Sequence, residues 1–228
     1  NLADKCPNDP NGWGPNTDNT DTCDNIDTDD DNDDMPDIWE EKYGLNPKNS
    51  SDANQHKDSD GLTNKEEYVL DTNPNKSDTD DDGLNDDYEV NRTYPTLESD
   101  NPTILKTDPN QPDTDGDGLT DGAEVNTHHT KPLKKDSDDD GLNDRYEVMT
   151  LYTNSDTNTM KTDPNQLDTD GDGLSDHDEI NSAIGKAEIT NPLMKDTDDD
   201  EIEDNEDACP IEGSGVDHNG DGCIDPLP

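Results

Sequence analysis

The sequence predicts an elongated, solenoid-like array of mostly irregular structure, with short one- to two-turn helices after its loops and almost no hydrophobic core. Three observations carry this. Only 22% of the 228 residues are apolar, Phe is absent and the formal charge is −48, so the chain cannot bury enough apolar surface to offset its conformational entropy. The acid is mostly of one kind, 49 Asp against 14 Glu, and Asp suits tight loops because its short carboxylate bonds nearby backbone. Nearly the same twelve residues also recur in register: DTDDDGLNDDYE from Asp78, DTDGDGLTDGAE from Asp113, DSDDDGLNDRYE from Asp136 and DTDGDGLSDHDE from Asp168.

Counted from the first Asp, acids stand at positions 1, 3, 5, 9 and 12, with Gly at position 6. That is the ligand spacing of an oxygen-lined Ca²⁺ loop. Alternating Asp side chains converge, Gly permits the sharp turn, the position-7 carbonyl adds a ligand, and Glu closes bidentate. The expected ligands are Asp78, Asp80, Asp82, Leu84, Asp86 and Glu89; Asp113, Asp115, Asp117, Leu119, Asp121 and Glu124; Asp136, Asp138, Asp140, Leu142, Asp144 and Glu147; and Asp168, Asp170, Asp172, Leu174, Asp176 and Glu179. Multiple Ca²⁺ ions are expected to replace the core.

Three looser loops extend the series. The first has Asp29, Asp31, Asp33, Met35, Asp37 and Glu40, with Asp34 in the glycine slot, a position Asp tolerates. The next has His56 at position 1, then Asp58, Asp60, Leu62, Asn64 and Glu67, and Asp52 is expected to replace His56. The last has Asp196, Asp198, Asp200, Ile202, Asp204 and Asp207, weakened by Glu201 in the turn and the shorter closing acid. Between loops, Thr-x-Pro-x-x-x-Asp recurs at Pro74, Pro109, Pro132, Pro164 and Pro192, so each loop is approached from an extended, non-helical segment. The variable stretches between are expected to be surface insertions.

Position 4 alternates Asp81, Gly116, Asp139, Gly171, Asp199, which pairs the loops with a super-repeat of about 55–60 residues. Five acids around one Ca²⁺ leave roughly three negative charges uncompensated. More than one ion per loop pair is therefore expected, with Asp81, Asp139 and Asp199 as bridges. Apolar residues at position 7 are expected to pack against the neighbouring unit. An EF-hand places its apolar residue one position later and continues into a long amphipathic helix, so paired EF-hands are not expected.

The units DTDGDGLTD and DTDDDEIEDNEDACP resemble thrombospondin type 3 repeats, especially their bacterial relatives. The resemblance covers nearly the whole chain and implies calcium-wrapped irregular structure, an extracellular location, and a spacer or adhesive role. Only Asp4-Lys5-Cys6-Pro7 and Asp207-Ala208-Cys209-Pro210 carry the Asp-x-Cys-Pro element of that family, so its disulfides between every neighbouring repeat are excluded in the centre.

The four cysteines allow three pairings, of which closure within each end, Cys6 with Cys23 and Cys209 with Cys223, is favoured over bridging the array. The C-terminal partial loop offers Asp217, Asn219, Asp221, Cys223 and Asp225 to calcium. Its degenerate N-terminal counterpart reads Thr17, Asn19, Asp21, Cys23 and Asn25. The expected organisation is an N-terminal disulfide cap with a half-site over 1–26, seven calcium loops over 27–207, and a C-terminal disulfide and calcium module over 208–228.

Charge excludes nucleic acid as a partner, since 15 Lys and Arg face 63 acids. No apolar run reaches membrane-spanning length and no signal peptide is present. Weak-to-moderate Ca²⁺ sites and cysteines paired by position both fit an extracellular or cell-surface address. No enzyme is expected, because the carboxylates recur as ligand sets and no apolar pocket could raise a catalytic pKa. Asn49, Asn75 and Asn91 begin glycosylation sequons.

The first functional expectation is a calcium-stiffened rod, spacer or fibre subunit. The second is a calcium-dependent adhesive module for glycans or a protein, with Trp13 and Trp39 as its platform; the third is a calcium buffer. The chain starts at Asn1, as a processed chain or a fragment would. Asn1 and Asp4 sit as positions 9 and 12 of a truncated loop, and the loop from Asp217 lacks its closing acid, so a head-to-tail homopolymer sharing an ion is also expected.

Overall fold

A computed structural model describes residues 16–18, 23–24, 26–92, 94–95, 104–153, 159–181, 189–212 and 223. The chain divides into two compact units, Asn1–Pro112 and Asp113–Pro228. The first carries the loops starting at Asp29, His56 and Asp78, and the second those starting at Asp113, Asp136, Asp168 and Asp196.

Six of the seven loops run into a helix that begins at their own position 9. These are α1 (Asp37–Tyr43), α2 (Asn64–Leu70), α3 (Asp86–Asn91), α4 (Asp121–Ala123, continued by a π-turn over Glu124–His128), α5 (Asp144–Met149) and α6 (Asp176–Asn181). Position 8 explains the start. Thr63, Asn85, Thr120 and Asn143 accept the backbone N–H three residues on, and the Asp178 N–H donates to Ser175 in the same way. At Thr63 the cap is reciprocated by Glu66. Left-handed residues stop α1 at Gly44 (φ 72°) and α2 at Asp71 (φ 59°). Helices of one or two turns are marginal by themselves, so the loops hold them rather than the reverse.

The seventh loop departs from the expectation. After Asp204 the chain makes turns instead of a helix. The Asp207 carboxylate takes the Cys209 N–H at 2.7 Å, and Pro210 follows, so side-chain bonding and proline both oppose continuation.

Two insertions close as small antiparallel pairs that the sequence had not indicated. In the first unit β1 (Tyr94–Pro95) pairs with β2 (Ile104–Leu105), and in the second β3 (Tyr152–Thr153) pairs with β4 (Thr159–Met160).

Apolar burial is sparse. Met35, Trp39 and Ala53 form one cluster, flanked by Tyr43, Leu45 and Tyr68. Trp39 lies 4.8 Å from the Tyr43 ring and 5.3 Å from that of Tyr68, so it is a packed residue and no surface platform; Trp13 lies outside the described residues. Elsewhere the position-7 residues Leu62, Leu84, Leu119, Leu142 and Leu174 are buried individually and Ile202 is half-buried. The large fully buried side chains are mostly acids: Glu40, Glu67, Glu89, Glu124, Glu147 and Glu179. At the C-terminal end Cys209 pairs with Cys223, as the spacing favoured. Cys23 is also disulfide-bonded, and Cys6 lies outside the described residues.

Candidate metal centres

Each loop is tied by side chain-to-backbone bonds before any ion is considered. Position 1 is a hook. Asp78 accepts the N–H groups of Asp81, Asp82 and Gly83 at 2.7, 3.2 and 3.1 Å. Asp113, Asp136 and Asp168 do the same for positions 4 and 6 of their loops. Asp29 and Asp196 hold positions 5 and 6. Position 5 turns the chain again, its Oδ1 accepting the position-7 N–H at 2.6–2.9 Å from Asp33, Asp60, Asp82, Asp117, Asp140, Asp172 and Asp200.

Position 6 must then take positive φ, as Gly118 does at 103°; Asp34 (73°) and Glu201 (80°) accept the same region. Sterics add to this. A Cβ on Gly118 would lie 2.7 Å from the Arg145 side chain, whereas one on Gly83 would meet nothing within 4 Å. Gly83→Ala is therefore expected to cost only backbone strain, about 1–2 kcal/mol, and Gly118→Ala measurably more. Melting temperatures of the two variants at the same calcium concentration check the difference.

Position 9 closes the loop from the other side. The backbone and hydroxyl of the position-2 residue donate to its two carboxylate oxygens: Thr79 to Asp86 at 2.8 and 2.7 Å, Thr114 to Asp121 at 2.9 and 2.6 Å, Ser137 to Asp144, Thr169 to Asp176 and Thr197 to Asp204. In the first loop, where position 2 is Asp30, only its N–H reaches Asp37. The same pairing appears between Thr17 and Asp24 at 2.8 and 3.0 Å, which puts Asp24, not Asn25, at position 9 of the N-terminal half-site. Its frame is thus one residue earlier than its cysteine indicates.

Positions 1, 3 and 5 converge in some loops and positions 3, 5 and 12 in another. Carboxylate oxygens of Asp58, Asp60 and Glu67 lie within 4.8 Å of one another, as do those of Asp29, Asp31 and Asp33 and of Asp78, Asp80 and Asp82. Both oxygens of the buried Glu40 and Glu67 lack a hydrogen-bond partner, as does one each on Asp58, Asp60, Asp115, Asp138 and Asp170. Glu124 and Glu179 each spend one oxygen on the signature threonine, Thr130 at 3.2 Å and Thr190 at 3.1 Å, and leave the other unpaired. Burial first, and the neighbouring aspartates second, push Glu40 and Glu67 up to about 8 and Glu124, Glu147 and Glu179 up to about 9.

Successive repeats share these groups. Asp86 lies near Asp60 and Glu67, Asp144 near Asp117, Asp176 near Asp138, Asp140 and Glu147, and Asp204 near Asp172, each raising its neighbour's pKa or being raised by it. The second oxygen of Asp117 accepts the Arg145 N–H (3.0 Å) and that of Asp140 the His177 N–H (2.8 Å), so position 5 of one loop anchors the helix of the next.

Two expectations need correcting. The position-4 aspartates are not bridges in this structure: Asp81 pairs with Lys76 at 2.7 Å and Asp139 with Lys134 at 2.5 Å, both carboxylates facing solvent. Where position 4 is Gly, its carbonyl instead receives a lysine of the following loop, Lys135 for Gly116 (2.9 Å) and Lys195 for Gly171. Asp52 gives the loop of His56 only its backbone carbonyl, to the Asn64 amide, and turns its carboxylate to the preceding loop. It joins Asp33 and Glu40 within 4.8 Å, at the place the next repeat's position-9 acid holds elsewhere and which Asn64 cannot fill. The loop from Asp217 to Asp225, apart from Cys223, and residues 1–15 lie outside the described residues, and with them the groups expected to meet head to tail.

Buried, convergent, unpaired carboxylate oxygens fit a hard divalent cation, and the absence of thiolate or imidazole from these groups argues against zinc. The pKa values carry a sign. An acid raised in the folded state costs stability as pH rises from its unfolded value near 4.3 to its folded value. The metal-free chain should therefore regain structure on acidification from pH ~8 to ~4. Metal binding to the acidified, refolded chain, whose buried glutamates are protonated, should release protons, and calorimetry in buffers of differing ionisation enthalpy would detect them.

These loops define a repeat protein whose acidic clusters can hold metal ions. Residues 58–77, 113–135 and 168–182 match the family described as Bacterial TSP3 repeat, so the chain carries bacterial thrombospondin type 3 repeats. Repeats of this family generally bind calcium, and it is not an enzyme family. No curated protein matches the chain. Among the described residues no helix is long and apolar enough to cross a membrane.

Proposed function

We propose that this chain binds several Ca²⁺ ions and works outside the cell as a calcium-stiffened rod, spacer or fibre subunit at a surface. The observation that carries the reading is the closing glutamate, buried with unpaired oxygens among aspartates in repeat after repeat. Such a group is tolerable only if a cation supplies the charge that water would have solvated. Ca²⁺ is favoured over Mg²⁺ because six to eight oxygens in flexible geometry suit it. Positions 1, 3 and 5, the position-7 carbonyl and position 12 act as ligands, and Asp52 serves the first loop. The two groups that share Asp33, one with Asp29 and Asp31 and one with Glu40 and Asp52, favour more than one ion per loop.

A spacer needs stiffness along its length, and ions shared between neighbouring repeats would provide it. Electron micrographs of the purified chain should show particles of defined length in millimolar calcium and none in chelator. Particles of the same dimensions in both would sink the proposal.

A further inference from the structure

We infer that the imidazole of His56 takes the place of one calcium ion in the second loop. The inference rests on the calcium reading above and goes beyond it to a loop that departs from the pattern. In a loop of this spacing the position-1 carboxylate and the position-7 carbonyl face the same ion. Here position 1 is His56, and its Nδ1 lies 2.7 Å from the Leu62 carbonyl, which is position 7. A carbonyl only accepts, so Nδ1 carries the proton and donates it. The bond therefore spans the two ends an ion would join, and it occupies the oxygen that ion would need.

The rest of the loop agrees. With histidine at position 1 the position-1 carboxylate hook is lost, and Gly61 sits at φ 121° where Gly83, Gly118, Gly141 and Gly173 sit at 103–107°. Position 9 is uncharged as well: the Asn64 side-chain amide donates to the Asp52 carbonyl at 2.8 Å. What remains is Asp58, Asp60 and Glu67 within 4.8 Å, with an unpaired oxygen on each aspartate and both Glu67 oxygens unpaired. That set holds one ion, with Asp86 of the next repeat beside it. The loop thus closes its turn without waiting for calcium, and binds one ion fewer than a loop with aspartate at position 1.

The test counts calcium bound at saturation, by native mass spectrometry of the full chain and of His56→Asp. The variant should carry one ion more. An equal, non-zero count in the two proteins overturns this inference alone, and no calcium in either overturns the calcium reading as well. Should His56→Asp fail to fold in calcium, the unaltered chain decides. Nitrogen NMR of calcium-saturated protein should show the His56 ring protonated at Nδ1, with that proton protected from exchange. A ring protonated at Nε2 alone overturns the inference.

Discussion

In excess chelator at neutral pH the chain should lose its helices and its compactness, keeping only the local disulfide links. Without metal the buried glutamates of successive loops face aspartates a few ångströms away, and the small apolar cluster around Trp39 has little to set against that repulsion. Site binding is then folding free energy. At ~100 times its dissociation constant each ion contributes about 2.7 kcal/mol, so one ion in each of the seven loops supplies roughly 19 kcal/mol. That exceeds the entire stability of an ordinary domain, about 5–15 kcal/mol. Circular dichroism and small-angle scattering with and without chelator measure it. A radius unchanged by chelation would mean the fold has another source of stability.

Glu147→Gln should have opposite effects in the two conditions. Glu147 is fully buried among Asp138, Asp140 and Asp176, beside the signature Thr162. Glutamine keeps the shape and removes the charge. With calcium present the loop loses its closing ligand, and affinity there should fall about 100-fold or more, since even losing a group that only hydrogen-bonds to a metal ligand costs about 10–100-fold. In chelator the same change removes one buried like charge, so the metal-free chain should require less acid to regain structure. Calcium titrations and acid titrations of the two proteins check both arms. A uniform loss in both conditions would mark Glu147 as a packing residue only.

Spacing within one loop was legible because ligand geometry there is local. The positions of Asp78, Asp80 and Asp82 along the chain already imply their convergence, and the Gly83 slot implies the turn. Short helices were legible, but they were expected after the twelve-residue loops and begin instead at position 9, inside them. What the sequence hid lies between repeats or between distant positions of one loop. Thr79 reaching Asp86 is a seven-residue closure that no short motif advertises, and the signature threonines looked like spacers beside their prolines. Asp52 looked available to its nearest loop in sequence, but the chain's path delivers it to the one before. The alternation at position 4 was real as a pattern and misread as chemistry. It tracks where the lysines are, which only the packing of one loop on the next reveals.

The two strand pairs have a consequence for how such a chain can change over time. Tyr94 is in register with Leu105 and Tyr152 with Met160, so in each insertion the outgoing and returning strands are held side by side. Lengthening such a segment costs only about 0.6 kcal/mol per doubling of its length. These hairpins are therefore grafting points, where a peptide or a small domain could be exchanged without disturbing the spacing of the acidic loops, and where relatives of this chain are free to diverge.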